Sequence, residues 1–522
     1  MKTKIIFGLS IFLLICYFFI KDLNWLFQDI VLIYFSPFIL IFLISLIFLL
    51  IKKYIFKYNT KIINYWGNSL IINCVIQLFL IILLFNLTQN KVVERDALIS
   101  DLKFFQTKIE EIDPNPYWYI SKADLTDSID ILNKRLSNKT DMLTATKEMM
   151  KCIALIHDGH TNVELFSLIA QKAILGQVFP YSVLIDSSRV FVSKSFSSSN
   201  MIPIGSELIS INNVLIGNVL KNISAYQSYE TQQFRIKICG DLFPFLIGFE
   251  YNFKPVDVEY RNSSDNTIHK AIIKSSLSDK FRLFKQIMSV INKENSFSVL
   301  PDKIGYLEIA SFMRDFNQYK EFLHSSFDSI QKRNISNLII DIRMNGGGSD
   351  NLGIELFQYL CHEPFQLDDS AFIKVSKPTL ENEGETDTSL KLGTIIPLEF
   401  VKQKIKLRHE PLRFRGKIYL LTSGMTFSSA TVFASAFKNN NIGTVVGSET
   451  GGAQICCGNG PMIYTPNLHV PISTSAKMFY LRGGTQHQQG VVPHICIKLN
   501  QYDLLKNKDK ILDLVIELIK EK

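Results

Sequence analysis

A serine set where a strand turns sharply into a helix is the residue of this chain best placed for chemistry. In GKIYLLTSGMTFSSATVFASAFK, the β-prone run Lys417–Thr422 reads as a strand, Ser423–Met425 as a turn and Ser428–Lys438 as a helix rich in small residues. Ser428 would open that helix, where unpaired backbone N–H groups and the positive end of the helix dipole favour a developing oxyanion. The plainer reading is an N-cap, a position that serine and threonine favour. A hydroxyl at its free pKa is inert, so a nucleophilic Ser428 needs a base. His160, in HDGHTNVEL, is the candidate, on a turn just past the helix that Gly159 ends. His157, expected to be still on that helix, competes with it. The third feature is DIRMNGGGSD, Asp341–Asp350, where three glycines leaving a strand can be a loose turn or can aim N–H groups at a ligand. Phosphate cradling fits poorly, because no Lys-Ser/Thr follows the glycines.

These residues need a frame. From about Asp302 strands and helices alternate: Lys303–Ser311, Asp315–Arg333, Asn337–Arg343, Asn351–Cys361 and then the Ser428 unit, which argues for α/β packing. Before it, residues 91–165 read as a helical domain, with Asp96–Ile112, Lys122–Leu136 and Met142–His157 apolar at three- and four-residue spacing. Residues 166–285 read as β-rich, with strands at Tyr181–Ile185, Val190–Val192 and Val256–Tyr260. Within them IPIGSELISINNVLIGNVLKNI runs turn, strand, tight turn and amphipathic helix, an order that resembles PDZ-type modules, which add a peptide as an extra strand. A plain β-rich connector is the alternative. Residues 286–522 complete the chain as the catalytic core.

Residues 1–90 hold three apolar runs, Ile5–Ile20, Ile30–Ile51 and Leu70–Leu87, read as three transmembrane helices. No small-x-small cleavage pattern follows the first run. Lys2 and Lys4, and then Lys52, Lys53, Lys57 and Lys61, place their flanks in the cytoplasm, so the catalytic part is expected outside it on a multi-pass membrane protein.

The 522 residues carry a net charge of +8, with both signs interspersed, so no nucleic-acid partner is expected. None of the eight cysteines has C-x-x-C spacing, so neither a metal nor another cofactor is expected. The oligomeric state carries no sequence signature.

Five motifs in order, DGHT (Asp158–Thr161), IGYLEIASF (Ile304–Phe312), DIRMNGGG, TFSSA with GSETGG, and GVVP (Gly490–Pro493), resemble the serine peptidases that include tail-specific (C-terminal processing) proteases, the tricorn core and retinoid-binding-protein-type repeats. The resemblance spans about Lys91–Ile497 and implies a crotonase-like α/β core acting on polypeptides. It makes Ser428 the nucleophile, with the Ser429 N–H as one oxyanion donor and Gly346 or Gly347 as the other. Ala453 occupies the position of the lysine base of one branch, so the histidine branch applies and His160 is the base. That branch orients its histidine with a glutamate shortly before G-V-x-P-D. Here TQHQQGVVPH offers Gln488, or second Gln486, with His494 in place of the aspartate; Glu449 is a nearby carboxylate that could substitute. An amide orients an imidazole but stabilises its cation poorly. Two functions follow: a serine endopeptidase weakened by its amide, or an inactive relative that binds peptides or apolar ligands. Hydrolysis of a small ester or amide would use the same residues.

Overall fold

Amphipathic spacing decides the first part of the described chain. The computed structural model describes residues 92–522 except 165, 200, 385–389, 499, 501–502, 504–508 and 522. The chain divides into two compact units, Met1–Val93 and Glu94–Lys522, and the candidate site lies within the second. Helix α1 (Arg95–Ile112) buries the stripe Leu98, Leu102, Phe105, Ile109 and Ile112. Helix α2 (Lys122–Arg135) is capped by Ser121, and α3 (Met142–Ala154) by Asp141, each accepting a backbone N–H with its side chain. Helix α3 ends three residues before His157, which falls in the left-handed region (φ 55°) rather than on the helix.

The three transmembrane helices expected in residues 1–90, and the multi-pass location with an extracytoplasmic catalytic part that followed from them, are not supported. Among the described residues no helix is long and apolar enough to cross a membrane; the longest, α1, has seven charged side chains in 18 residues. The three apolar runs themselves lie outside the described residues.

The β-rich segment is antiparallel, with β1 (Tyr181–Asp186), β2 (Arg189–Ser195), β3 (Glu207–Ile211), β4 (Val256–Arg261) and β5 (Ile268–Ile273) side by side in that order. Asn212 and Asn213, at φ 49° and 63°, turn the chain from β3 back onto Val214–Leu215, the positive-φ geometry that asparagine tolerates. Helix α4 (Gln232–Asp241), capped by Thr231, lies between β3 and β4 in sequence.

The remaining elements form the core: β6 (Ser296–Leu300), β7 (Ile304–Glu308), α5 (Phe316–Lys332), β8 (Asn337–Asp341), α6 (Asp350–Leu360), β9 (Asp368–Lys374), β10 (Lys417–Thr422), α7 (Ser429–Asn439), β11 (Thr444–Gly447), β12 (Ile455–Asn459), β13 (Ser475–Leu481), β14 (Ile495–Cys496) and α8 (Lys510–Lys520). One six-stranded sheet runs β14-β11-β10-β8-β7-β6, parallel except for β6. Its strands are apolar on both faces, as a covered parallel sheet requires. Leu338, Ile340, Leu420 and Val445 face α5, α6 and α7, while Ile339, Tyr419, Leu421 and Val446 face α8. Phe357, Phe433 and Phe437 fill the first side, and each such ring stabilises the fold by roughly 1.5–3 kcal/mol relative to exposure. A second sheet, Ile395–Pro397 with β9, β13 and β12, stands beside α7. The carboxyl ends of β8 and β10 thus bring the glycine run and the Ser428 turn together, as the alternation of strands and helices implied.

Candidate active site

Ser428 does not cap its helix. Its side chain accepts no cap hydrogen bond, and its backbone sits at φ 52°, ψ −130°. Such a conformation costs on the order of 1–3 kcal/mol in a residue with a side chain and persists only where the surroundings fix it. Here they do. Thr426 Oγ1 donates to Ile342 O (3.0 Å), the Phe427 N–H to Asn345 O (3.1 Å), and Ser423 Oγ to Arg343 O. The turn is stitched to the segment leaving β8, and Ser428 is held with its hydroxyl free of the helix.

That hydroxyl meets His160. Ser428 Oγ lies 3.1 Å from His160 Nε2, across 268 residues of sequence. The imidazole is packed between the Phe427 ring, 4.9 Å away and stacked, and Gly458, where a Cβ would stand 3.3 Å from the ring. The His160 backbone N–H donates to Asp158 Oδ1 (3.0 Å), and Asp158 Oδ2 accepts from Thr161 Oγ1 and Ser475 Oγ. On the far side of the ring, Nδ1 is 3.2 Å from Glu230 Oε1 and 3.9 Å from Asp158 Oδ1. The contact with Glu230 is bent from ideal hydrogen-bond geometry. Glu230 is 3% exposed, and its Oε2 accepts the Ala453 N–H at 2.8 Å. Burial alone would depress the His160 pKa, but the Glu230 carboxylate, helped by Asp158, raises it above its ordinary value. Burial pushes the Glu230 carboxyl up, while His160 and the Ala453 amide pull it back.

Glu230 reaches this place because the chain before α4 docks on the nucleophile's loops. Thr231 Oγ1 donates to Gly451 O (2.9 Å), Phe234 stacks on Phe427 (4.6 Å), and the Ser228 N–H donates to Asn162 Oδ1 (3.0 Å). Gly159 and Gly451 allow the approach. A Cβ on Gly159 would lie 2.7 Å from the Phe427 ring and 3.0 Å from Glu230 Oε1, and one on Gly451 would lie 2.1 Å from Gly424 O.

The glycine run is ordered by Asn345, which is fully buried. Its Nδ2 donates to Ile309 O (3.1 Å), and its Oδ1 accepts the Gly347 N–H (2.9 Å). Of the two glycines expected to donate to an oxyanion, Gly347 therefore has its N–H engaged already. Among the described residues the Gly346 and Ser429 N–H groups donate to no acceptor, and Ser429 Oγ donates to Gly348 O (2.7 Å).

Gln488 does not take the third position expected for it. It is exposed at φ 56°, and among the described residues no hydrogen bond or ion pair joins it or Gln486 to His160, whose Nδ1 faces Glu230 instead. Glu449 accepts the Gly490 N–H (2.8 Å), and His494 Nδ1 accepts the Val445 N–H (2.9 Å), so both brace loops. His157 packs edge-on against Tyr229, 4.8 Å between centroids, away from the Ser428 hydroxyl that His160 meets. Glu230 and Asn345 escaped the sequence reading. The signal for Glu230 was slight: an acid beside the N-cap Thr231, in a stretch with no element of its own.

A second group of acids lies next to Ser429. Asp350 is half-buried beside it and Asp368 is 5% exposed, each with an Oδ1 that lacks a hydrogen-bond partner. Burial, reinforced by Asp350 and Asp369, pushes the Asp368 carboxyl from 3.8 to about 7. A carboxyl raised in this way leaves folding undisturbed below its unfolded pKa, and the cost grows as pH climbs toward the folded value. Stability should fall from about pH 4 to 7 and then level off. Asp368→Asn is expected to flatten that slope and to add on the order of 1–3 kcal/mol at pH 8, a few degrees in Tm, read by thermal melts at pH 4 and 8. An unchanged slope would exclude Asp368 as its source.

Residues 303–497 match the family model described as Peptidase family S41. Among solved structures, mature CPAF is 15% identical over 82% of this chain and 98% of its own, with a TM-score of 0.58. Mature CPAF complexed with lactacystin is 15% identical over 82% of this chain and 99% of its own, with a TM-score of 0.57. The fold is therefore shared along almost the whole length of that protein.

Proposed function

This chain belongs to peptidase family S41 through residues 303–497, and on that premise we propose that it is an endopeptidase that cleaves polypeptides with Ser428 as nucleophile, His160 as base and Glu230 as orienting carboxylate. One observation carries the reading. A serine hydroxyl and a buried carboxylate flank the two nitrogens of one imidazole at 3.1 and 3.2 Å although the three residues come from distant segments.

The chemistry follows from that arrangement. His160 Nε2 accepts the Ser428 proton as Oγ attacks the peptide carbonyl, and the imidazolium so formed is stabilised by Glu230 at Nδ1. Negative charge developing on the carbonyl oxygen is met by the N–H groups of Ser429 and Gly346 at the start of α7 and in the glycine run. The imidazolium then protonates the leaving amine, which departs and leaves an ester on Ser428. Water attacks the ester with His160 again taking its proton, and the acid product and free serine are released. Glu230 also weakens the alternative of an inactive ligand-binding relative, since the absence of an orienting acid was the argument for it.

Labelling of the full chain by a fluorophosphonate probe tests the proposal. The adduct should map to Ser428 by mass spectrometry, vanish in Ser428→Ala and form at least a thousandfold more slowly in His160→Ala. No adduct, or one on another residue, would refute the reading. Digestion of an unfolded polypeptide alongside short esters separates peptidase from small-ester hydrolase.

A further inference from the structure

The atoms that orient the base also have the spacing of a metal site. His160 Nδ1 lies 3.2 Å from Glu230 Oε1 and 3.9 Å from Asp158 Oδ1, and one ligand atom from each of the three residues lies within 4.8 Å of the other two. Zinc bonds of about 2.0–2.2 Å to nitrogen and carboxylate oxygen set neighbouring ligands roughly 3.3 Å apart in a tetrahedron. The Nδ1–Oε1 edge already has that length, and the longest edge, up to 4.8 Å, must close by up to about 1.5 Å through side-chain rotation. Two further observations point to a ligand. Glu230 is almost wholly buried, yet its Oε1, like His160 Nδ1, makes no well-formed hydrogen bond. Asp158 and Glu230 also line a cavity of about 10 Å³ together with Cys456, Cys457 and His157, whose buried Nδ1 likewise lacks a partner. That is room for about one water or small ion.

We propose that Asp158, His160 and Glu230 bind Zn²⁺ and that the bound ion switches off the base. A neutral imidazole carries one N–H. In the resting pair that proton is on Nδ1, facing Glu230, and Nε2 offers its lone pair to Ser428. Zinc needs the Nδ1 lone pair, so the proton leaves Nδ1 and, through solvent, Nε2 takes one up; charge and proton count on the ring are unchanged. Nε2–H then donates to Ser428 Oγ and has no lone pair with which to accept its proton. Mg²⁺ and Ca²⁺, which prefer six or more oxygen ligands, suit a site with one nitrogen and two carboxylates poorly.

The switching half of this proposal rests on the serine-peptidase reading; the binding half does not, and two measurements keep them apart. Zn²⁺ binding is measured by equilibrium dialysis on full-length Ser428→Ala, which cannot be acylated. One Zn²⁺ per chain is expected to bind with micromolar affinity and to weaken at least tenfold when Glu230→Gln or His160→Ala is added, but not with His269→Ala, a half-buried histidine on a strand of the β-rich segment. Co²⁺ in place of Zn²⁺ should give the visible absorption of a four-coordinate ion only while His160 is present, which holds even if one variant folds poorly. On wild type, micromolar ZnCl₂ should slow fluorophosphonate labelling more than tenfold and a chelator should restore it, whereas millimolar MgCl₂ should not slow it. No saturable Zn²⁺ binding, or binding indifferent to Glu230 and His160, overturns the site. Full labelling with Zn²⁺ bound overturns the switch. A wild type that never labels disproves the peptidase reading while dialysis still decides the site.

Discussion

Glu230→Gln is expected to slow both fluorophosphonate labelling and peptide cleavage by about four orders of magnitude in a chain that still folds. The size of the loss follows from which atoms are fixed. Glu230 Oε2 accepts the N–H of Ala453, a backbone donor that cannot turn away. A glutamine at 230 must therefore aim its carbonyl oxygen at Ala453 and its NH₂ at His160 Nδ1. Two donors cannot face each other, so Nδ1 gives up its proton and becomes the acceptor. The single imidazole proton then resides on Nε2, opposite Ser428, and the base is in the wrong tautomer. Removing the carboxylate also removes the interaction that lifts the His160 pKa. An imidazole must be neutral to act as base, so activity is lost as pH falls through that pKa. With a lower pKa, the acid limb of whatever activity remains should move to lower pH. Second-order labelling rates from pH 5 to 8, with thermal melts to verify folding, test both effects. Wild-type rates in Glu230→Gln would remove Glu230 from the mechanism. Gln488→Glu, which a sequence-only assignment would expect to be activating, should leave the rate within about twofold, since among the described residues no hydrogen bond joins Gln488 to His160.

What could be read from the sequence and what could not divide along the range of the interactions. The core strands were legible because burial on both faces leaves apolar runs such as Leu338–Ile340 and Tyr419–Leu421, with helices between them. Ser428 and the glycine run were legible because a sharp strand-to-helix turn and a close backbone approach each need particular residues locally. His160 was legible only once a nucleophile required it. Glu230 lies in QSYETQQF, between two elements, and nothing nearby marks an acid there for catalysis. Its meaning is set by Ala453, Phe427 and His160, all distant in sequence. The resemblance to known peptidases placed the third position in the stretch before Gly490. In this chain the carboxylate beside the imidazole is that of Glu230, held by the N–H of Ala453, whose side chain carries no chemistry. The N-terminal runs show the converse: length and apolarity were clear in sequence, yet no described helix supports a span.

Gly347→Ala should cost at least a hundredfold in labelling rate while lowering Tm by only a few degrees. At φ 104° the residue occupies backbone space that side chains rarely adopt, a strain of about 1–3 kcal/mol. The added Cβ would stand 2.7 Å from Ser428 Cβ and 2.9 Å from Phe427 O. Neither neighbour is the far end of a flexible side chain, so the turn carrying the nucleophile must shift. A displacement of about 1 Å at a reacting atom is enough for a hundredfold loss. The effect is distinguished from general destabilisation by a double-mutant cycle on stability. Ser428→Gly deletes the Cβ that Gly347→Ala would strike, so the Tm loss caused by Gly347→Ala should be clearly smaller in that background than in wild type. Equal losses in the two backgrounds would mean that Gly347 does not set the position of Ser428. If the cycle does show coupling, the glycine is there for the nucleophile rather than for an oxyanion, in keeping with an N–H already held by Asn345.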